Sequence, residues 1–200
     1  MNTQLARNLS IVLLGLAMAS GVQAVQAQDV SLKIGDEAPA FQAVADNGQL
    51  WRSADHVGDK LLVVYFYPAA MTGGCTKQAC AFRDDHTKLT SMGAEVVGIS
   101  GDRLSNLQVF HKAHKINFPL LSDTTGAIAR SFGVPVHEGG SFDTQDADGN
   151  DVTLVRDVTA SRWTFIVGQD GTILYKETDV NPAKDSQTVI AAIQDLTNRG

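Results

Sequence analysis

The chain holds two cysteines, Cys75 and Cys80, set five positions apart in the run "PAAMTGGCTKQAC" from Pro68 to Cys80. In an exported chain a cysteine pair is ordinarily a structural bridge. A bridge here would close a loop of only six residues, for which chain entropy supplies at best about 2 kcal/mol before strain. The spacing therefore argues for sulfurs kept near each other for chemistry. Thr72 stands where a strand end passes into a helix, so its hydroxyl is placed to cap that helix and accept from the amide of Gly74 or Cys75. Gly73 and Gly74 allow a tight turn and close approach of a ligand to the backbone. Cys75 then falls in the first helical turn, where free amides and the positive end of the helix dipole favour a thiolate. Such a thiolate is a nucleophile beside an anion pocket. In an unbroken helix, residues five apart are separated by about 7.5 Å of rise and project roughly 140° apart. A disulfide needs Cα atoms within about 4.4 to 6.8 Å, so joining the two sulfurs must unwind the turns around Cys75.

The elements that would position these residues are readable from their patterns. "LLVVYFY" (Leu61 to Tyr67) is an unbroken apolar run with β-branched and aromatic residues, the mark of a central strand buried on both faces. A stretch of helical length from Cys75 to Met92 stops at Gly93, and "AEVVGIS" (Ala94 to Ser100) follows. Strand, helix, strand in this order implies a right-handed crossover and a parallel pair. "SNLQVFHKAHKI", "FPLLSD" and "TGAIARSFGV" read as helix, short strand and helix, and two apolar segments around Asp170-Gly171 read as a hairpin. "DSQTVIAAIQDL" closes the chain with Val189, Ile190, Ile193 and Leu196 on one helical face. The sum is a single α/β domain with a mixed sheet and helices on both faces.

The segment from His137 to Asp157 is polar, acidic and rich in glycine, and reads as a loop or an exposed hairpin turning near Asp148-Gly149-Asn150. Its acids invite a calcium reading. Aligning Gly149 with the glycine of an EF-hand loop puts Thr144 first and Val155 last, where a bidentate glutamate is required, so the motif fails. His111 and His114 are three apart with lysines beside them and no adjacent third ligand, and with His86 they read as helix-surface residues. Trp51 and Trp163 read as packing or edge aromatics, and Met71 as packing or a wall beside Cys75.

At the start, Arg7 is followed by the apolar run Ile11 to Ala19 and by small residues at Ala24 and Ala27. This is the pattern of a signal peptide over residues 1–27, cleaved after Ala24 or Ala27, with an apolar core too short to span a bilayer. No cysteine follows the run to carry a lipid. An exported, periplasmic domain over residues 28–200 is expected. The chain has 16 basic and 22 acidic side chains, net −6, and loss of Arg7 with the leader leaves 15 against 22, or −7. An acidic chain without long basic tracts is not built for nucleic acid. About 173 residues bury enough surface to fold without a disulfide.

The run "GCTKQACAFRD" (Gly74 to Asp84), preceded by "YFYPAAMT", resembles the peroxiredoxins, in particular the peroxiredoxin Q or bacterioferritin-comigratory-protein branch. The family's Pro-x-x-x-Thr-x-x-Cys signature maps onto Pro68, Thr72 and Cys75, and the branch's resolving cysteine onto Cys80. The similarity extends from "LKIGDEAPAF" (Leu32 to Phe41) to the closing helix. The family also uses an arginine just before a late strand, and "SRWTFIV" supplies Arg162 there. The resemblance implies a thioredoxin-like three-layer domain and a thiol-dependent peroxidase. Peroxide would meet the Thr72 hydroxyl, the Gly74 and Cys75 amides and Arg162, with Pro68 covering the sulfur. Cys75 would become a sulfenic acid and Cys80 would close a disulfide. The resemblance further implies no resident cofactor, reduction by an external dithiol protein of the exported compartment, and a monomer. The competing readings are a thioredoxin-like disulfide oxidoreductase, which calls for a Cys-x-x-Cys that this chain lacks, and a binding protein with a permanent Cys75-Cys80 bridge.

Overall fold

The computed structural model describes residues 31–199, so the expected leader over residues 1–27 lies outside the described residues. The apolar run after Lys60 forms β3 (Leu61–Phe66) and has no solvent face. Val63, Tyr65 and Tyr67 point to one side and Leu62, Val64 and Phe66 to the other, the period-two alternation of a strand buried twice over. A 19-residue helix, α1 (Gly73–Ser91), returns the chain to β4 (Ala94–Ser100), parallel to β3 with Leu61 opposite Ala94. Gly93, with φ of 73°, supplies the left-handed residue at the end of that helix. Helix α2 (Leu104–His114) leads to β5 (Leu120–Ser122), parallel to β4.

Helix α3 (Ala127–Ser131) precedes a long hairpin of β6 (Val136–Gln145) and β7 (Asp151–Ala160). Strands β8 (Trp163–Val167) and β9 (Ile173–Glu177) then add antiparallel to the free edge of β3, and α4 (Asp185–Arg199) closes the fold. A hairpin of β1 (Gln42–Ala45) and β2 (Leu50–Arg52) covers the other edge through β5. The seven-stranded order is β2-β1-β5-β4-β3-β8-β9, with β6-β7 as a separate pair. Leu107 and Phe110 of α2 and Val189, Ile190 and Ile193 of α4 pack with α1 on one face. Ile128 and Ala129 of α3, with Phe132, cover the other. This is the expected three-layer domain with a mixed sheet.

The polar segment is the hairpin of the two alternatives. Its ladder runs from Val136 opposite Ala160 to Gln145 opposite Asp151, and Gly149 turns with φ of 83°. The turn spends its acid on itself: the Asp146 carboxylate accepts from the amides of Asp148 and Asn150, both at 2.9 Å. The hairpin lies along α2, tied by Arg103 to Asp157 (2.6 Å), by the Asn106 amide to the Val155 carbonyl (2.8 Å) and by Lys112 to Asp148 (2.5 Å). Trp51 packs between Phe41 and His56, and Trp163 lies under the Lys176 ammonium, 4.5 Å from the ring centre. His111 on α2 faces the Asp46 carboxylate at 2.7 Å.

Where β4 passes beside Tyr65, Gly98 leaves room for the phenol: a Cβ there would sit 2.6 Å from the Tyr65 hydroxyl oxygen. The ring cannot withdraw, because Phe82 stacks on it at 4.9 Å and Phe118 meets its edge at 6.0 Å. Gly98→Ala is therefore expected to cost about 1–3 kcal/mol by overpacking. Urea unfolding should show a lower midpoint at unchanged slope; an unchanged midpoint would mean that the core yields there.

Candidate active site

Cys75 is 1% exposed and sits in the first turn of α1, against Tyr65, Tyr67 and Ala79 in the apolar core. The loop that delivers it is pinned from below. Its Ala70 amide donates to the buried Asp102 carboxylate at 2.8 Å, which also accepts from the Ser100 hydroxyl (2.9 Å) and the Asn106 amide (3.0 Å). Pro68, half-buried, ends β3 just before this loop. The tight turn falls at Met71, whose φ is 65°, a left-handed conformation that is costly for a residue with a long side chain. Gly73 and Gly74 instead have ordinary helical backbone, so turning is not why they are glycines. A Cβ on Gly74 would stand 3.3 Å from the Arg162 guanidinium; its bareness admits that side chain.

Thr72 is the N-cap by backbone, its carbonyl accepting from the Thr76 amide at 2.8 Å. Its hydroxyl does not cap. It turns back and donates to the Ala69 carbonyl at 2.9 Å, the Met71 turn having brought that carbonyl within reach. The hydroxyl proton is thus engaged, and its oxygen lone pairs remain able to accept.

Arg162 stands immediately before β8, and one of its nitrogens donates to the Cys75 sulfur at 3.3 Å. The pairing of β3 with β8, which sets Phe66 opposite Trp163, brings residues so distant in sequence together. The guanidinium is itself braced: its other terminal nitrogen donates to the Gln78 carbonyl oxygen. The Gln78 amide in turn donates to Asp185 at 2.6 Å, and the same carboxylate oxygen accepts from the Thr164 hydroxyl at 2.8 Å. Gln78 is 0% and Asp185 2% exposed. A continuous chain of donors and acceptors therefore runs from the first turn of α4 to the sulfur. Gln78 follows Cys75 by three residues, so helical spacing alone placed it on the same face. Nothing local in the sequence signals Thr164, Asp185 or Asp102.

Cys80 is half-buried on the same unbroken helix, and both cysteines are free thiols. Arg83, one turn on, donates to the His114 carbonyl at 2.5 Å, and Asn117 donates to the Arg83 carbonyl at 3.1 Å, fastening the middle of α1 to the end of α2. Burial raises the Tyr65 and Tyr67 phenols well above their ordinary range, so the floor beneath Cys75 stays uncharged. Among the described residues no group of three or more His, Cys, Asp and Glu side chains is placed to hold a metal.

A family model described as the AhpC/TSA family matches residues 34–176. A Mycobacterium tuberculosis protein named as a peroxiredoxin is 39% identical over 146 residues, 73% of this chain and 85% of that one. A chloroplastic peroxiredoxin Q of Populus jackii is 48% identical over 101 residues, 50% of this chain and 47% of that protein. Among solved structures, peroxidoxin BcpB from Mycobacterium tuberculosis superposes with a TM-score of 0.68 at 29% identity, over 83% of this chain and 99% of its own. The bacterioferritin comigratory protein of Xanthomonas campestris, described for its alkyl peroxide reduction activity, superposes with a TM-score of 0.64 at 25% identity, over 78% and 91%.

Burial raises the Asp185 carboxyl above its ordinary 3.8, overcoming the Gln78 and Thr164 hydrogen bonds and the Arg162 charge, all of which pull it down; Glu177 pushes it further up. A carboxyl raised in the folded state adds stability that is complete below its ordinary value and is lost as pH climbs through the raised one. Asp185→Asn cannot ionise. The stability of the wild type relative to this variant should accordingly fall as pH is raised from about 4 towards neutrality. Denaturation midpoints over a pH series measure this, and a difference that grows with pH would contradict it.

Proposed function

Because the chain belongs to the AhpC/TSA family and is a thiol-dependent peroxidase of the peroxiredoxin type, we propose that Cys75 is its attacking sulfur and Cys80 the cysteine that resolves the product. The observation that carries this reading is the guanidinium nitrogen of Arg162 aimed at the Cys75 sulfur at 3.3 Å. A charged N–H bonds an anionic sulfur more strongly than a neutral thiol, and its fork leaves further donors free for an oxygen.

A peroxide entering beside Gly74 donates an O–H hydrogen bond to the Thr72 oxygen, whose own proton is held by Ala69. Its oxygens face Arg162 and the amides of the first turn of α1. The Cys75 thiolate attacks one oxygen, the O–O bond breaks, and the leaving oxygen carries its charge off among the same donors as it takes up a proton. Cys75 is left as a sulfenic acid. The Cys80 sulfur, giving up its thiol proton, then displaces the hydroxyl from the Cys75 sulfur, the hydroxyl and that proton leave as water, and the disulfide shields Cys75 from further oxidation. A dithiol protein reduces the disulfide by exchange. No resident cofactor enters the cycle. The enzyme works as a monomer, exported by its leader to the periplasm, where the dithiol donor must also reside. Pro68 and the loop that Asp102 pins keep bulk water from the sulfur.

Mixing the reduced protein with about one equivalent of hydrogen peroxide should cause rapid thiol loss. Cys75→Ser should abolish it, Cys80→Ser should stop at a persistent sulfenic acid, and Arg162→Met should slow it by roughly 100-fold or more. Loss at the rate of free cysteine would overturn the reading, and ready reduction of insulin disulfides would favour a disulfide oxidoreductase. The disulfide form should also lose amide protection between Thr76 and Phe82, because the intact helix holds the sulfurs apart; equal protection in both redox states would rule out unwinding.

A further inference from the structure

We propose that Asp185, in the first turn of α4, is a positioning residue that acts on Cys75 through Gln78 and Arg162, holding the guanidinium over the sulfur and α1 in its helical form. This rests on Cys75 being the attacking sulfur. Three features of the contact chain carry it. A guanidinium only donates and a carboxylate only accepts, so the Gln78 amide between them has one orientation: nitrogen towards Asp185, oxygen towards Arg162. Gln78 has no exposed surface, so water does not replace either partner. Asp185 receives a second donor, Thr164, from β8, the strand that Arg162 precedes. The carboxylate thus ties the helix carrying the sulfur to the strand end carrying the guanidinium.

Gln78 also lies between the two cysteines in sequence, inside the stretch that must unwind for them to meet. Unwinding draws its amide away from Asp185 and leaves a buried carboxylate with Thr164 as its remaining donor, an unfavourable state for a charge out of water. The same contact that steadies Arg162 therefore opposes disulfide closure. Asp185 favours the step in which Cys75 sulfur attacks peroxide oxygen. It resists the next, in which Cys80 sulfur bonds to Cys75 sulfur while the S–O bond breaks and hydroxide leaves as water.

Opposite effects on two consecutive steps distinguish positioning from general stabilisation. The test is rapid-quench mass spectrometry of the full chain after mixing with hydrogen peroxide, counting thiol, sulfenic acid and disulfide over time. Asp185→Asn offers a neutral oxygen to the same two donors. It should slow sulfenic acid formation by roughly 3- to 30-fold, the difference between a charged and a neutral acceptor, and should speed closure of the disulfide. In a Gln78→Leu background, which has already lost the link, adding Asp185→Asn should change peroxide attack by less than about twofold. Effects that multiply, or a variant that slows both steps or neither, would overturn the role of Asp185 while wild-type thiol loss remained rapid. A wild type that fails to react rapidly overturns the peroxidase reading itself.

Discussion

The guanidinium of Arg162 against the sulfur of Cys75 is the contact on which the arrangement turns. It joins two groups 87 residues apart, and each needs a different part of the fold. The sulfur needs the first turn of α1 and the loop held by Asp102. The guanidinium needs the antiparallel registry of β8 with β3, the gap left by Gly74 and a second acceptor in Gln78. A partly buried cation with too few acceptors is unfavourable, so the brace from Gln78 to Asp185 is as much a condition of the contact as the contact itself.

The helix that carries the sulfurs faces two opposed demands. The peroxide attack proposed for Cys75 uses its first turn intact, whereas a bond between Cys75 and Cys80 is incompatible with an unbroken helix. The contacts along α1 divide accordingly. Its middle is fastened to α2 by Arg83 and Asn117, and Phe82 and Leu89 are buried in the core. Its start buries only the small side chains of Cys75 and Ala79 in that core and depends besides on the polar chain through Gln78 and on the Met71 turn, whose left-handed backbone stores strain. A segment with small buried side chains and a strained entry opens locally at lower cost than one anchored by large core side chains, so the change proposed for disulfide closure falls at the cysteines.

The long hairpin over α2 is joined to the same site through one residue. Gly101, where a Cβ would fall 2.1 Å from the Val158 carbonyl oxygen, lets β7 close onto the turn after β4. Asp102 follows it, bonded on one side to Ala70 beneath the Cys75 loop and on the other to Asn106, which also holds Val155 of the hairpin. The hairpin therefore buttresses the loop from outside the central sheet, although none of its side chains takes part in the chemistry proposed for Cys75.

Much of this was legible in the chain itself. Central strand β3, the crossover through α1, the hairpin at Asp170-Gly171 and the closing helix follow from hydrophobic period and turn residues, which are local. The spacing of Thr72, Cys75 and Cys80 is local as well, and so pointed to the chemistry. The β1-β2 hairpin carried its signal in Asn47-Gly48, but strands of four and three residues are too short to show a period. What only the tertiary structure decided is which partner each polar group takes. The Thr72 hydroxyl chose Ala69 over the helix amides, the turn fell to Met71 and not to the glycines, and Asp185 reached the sulfur through Gln78 from the far end of the chain. Those choices depend on which partner lies nearest after packing, and for Asp185, Gln78 and Arg162 that is set by the register of β3 with β8, which no window of sequence contains.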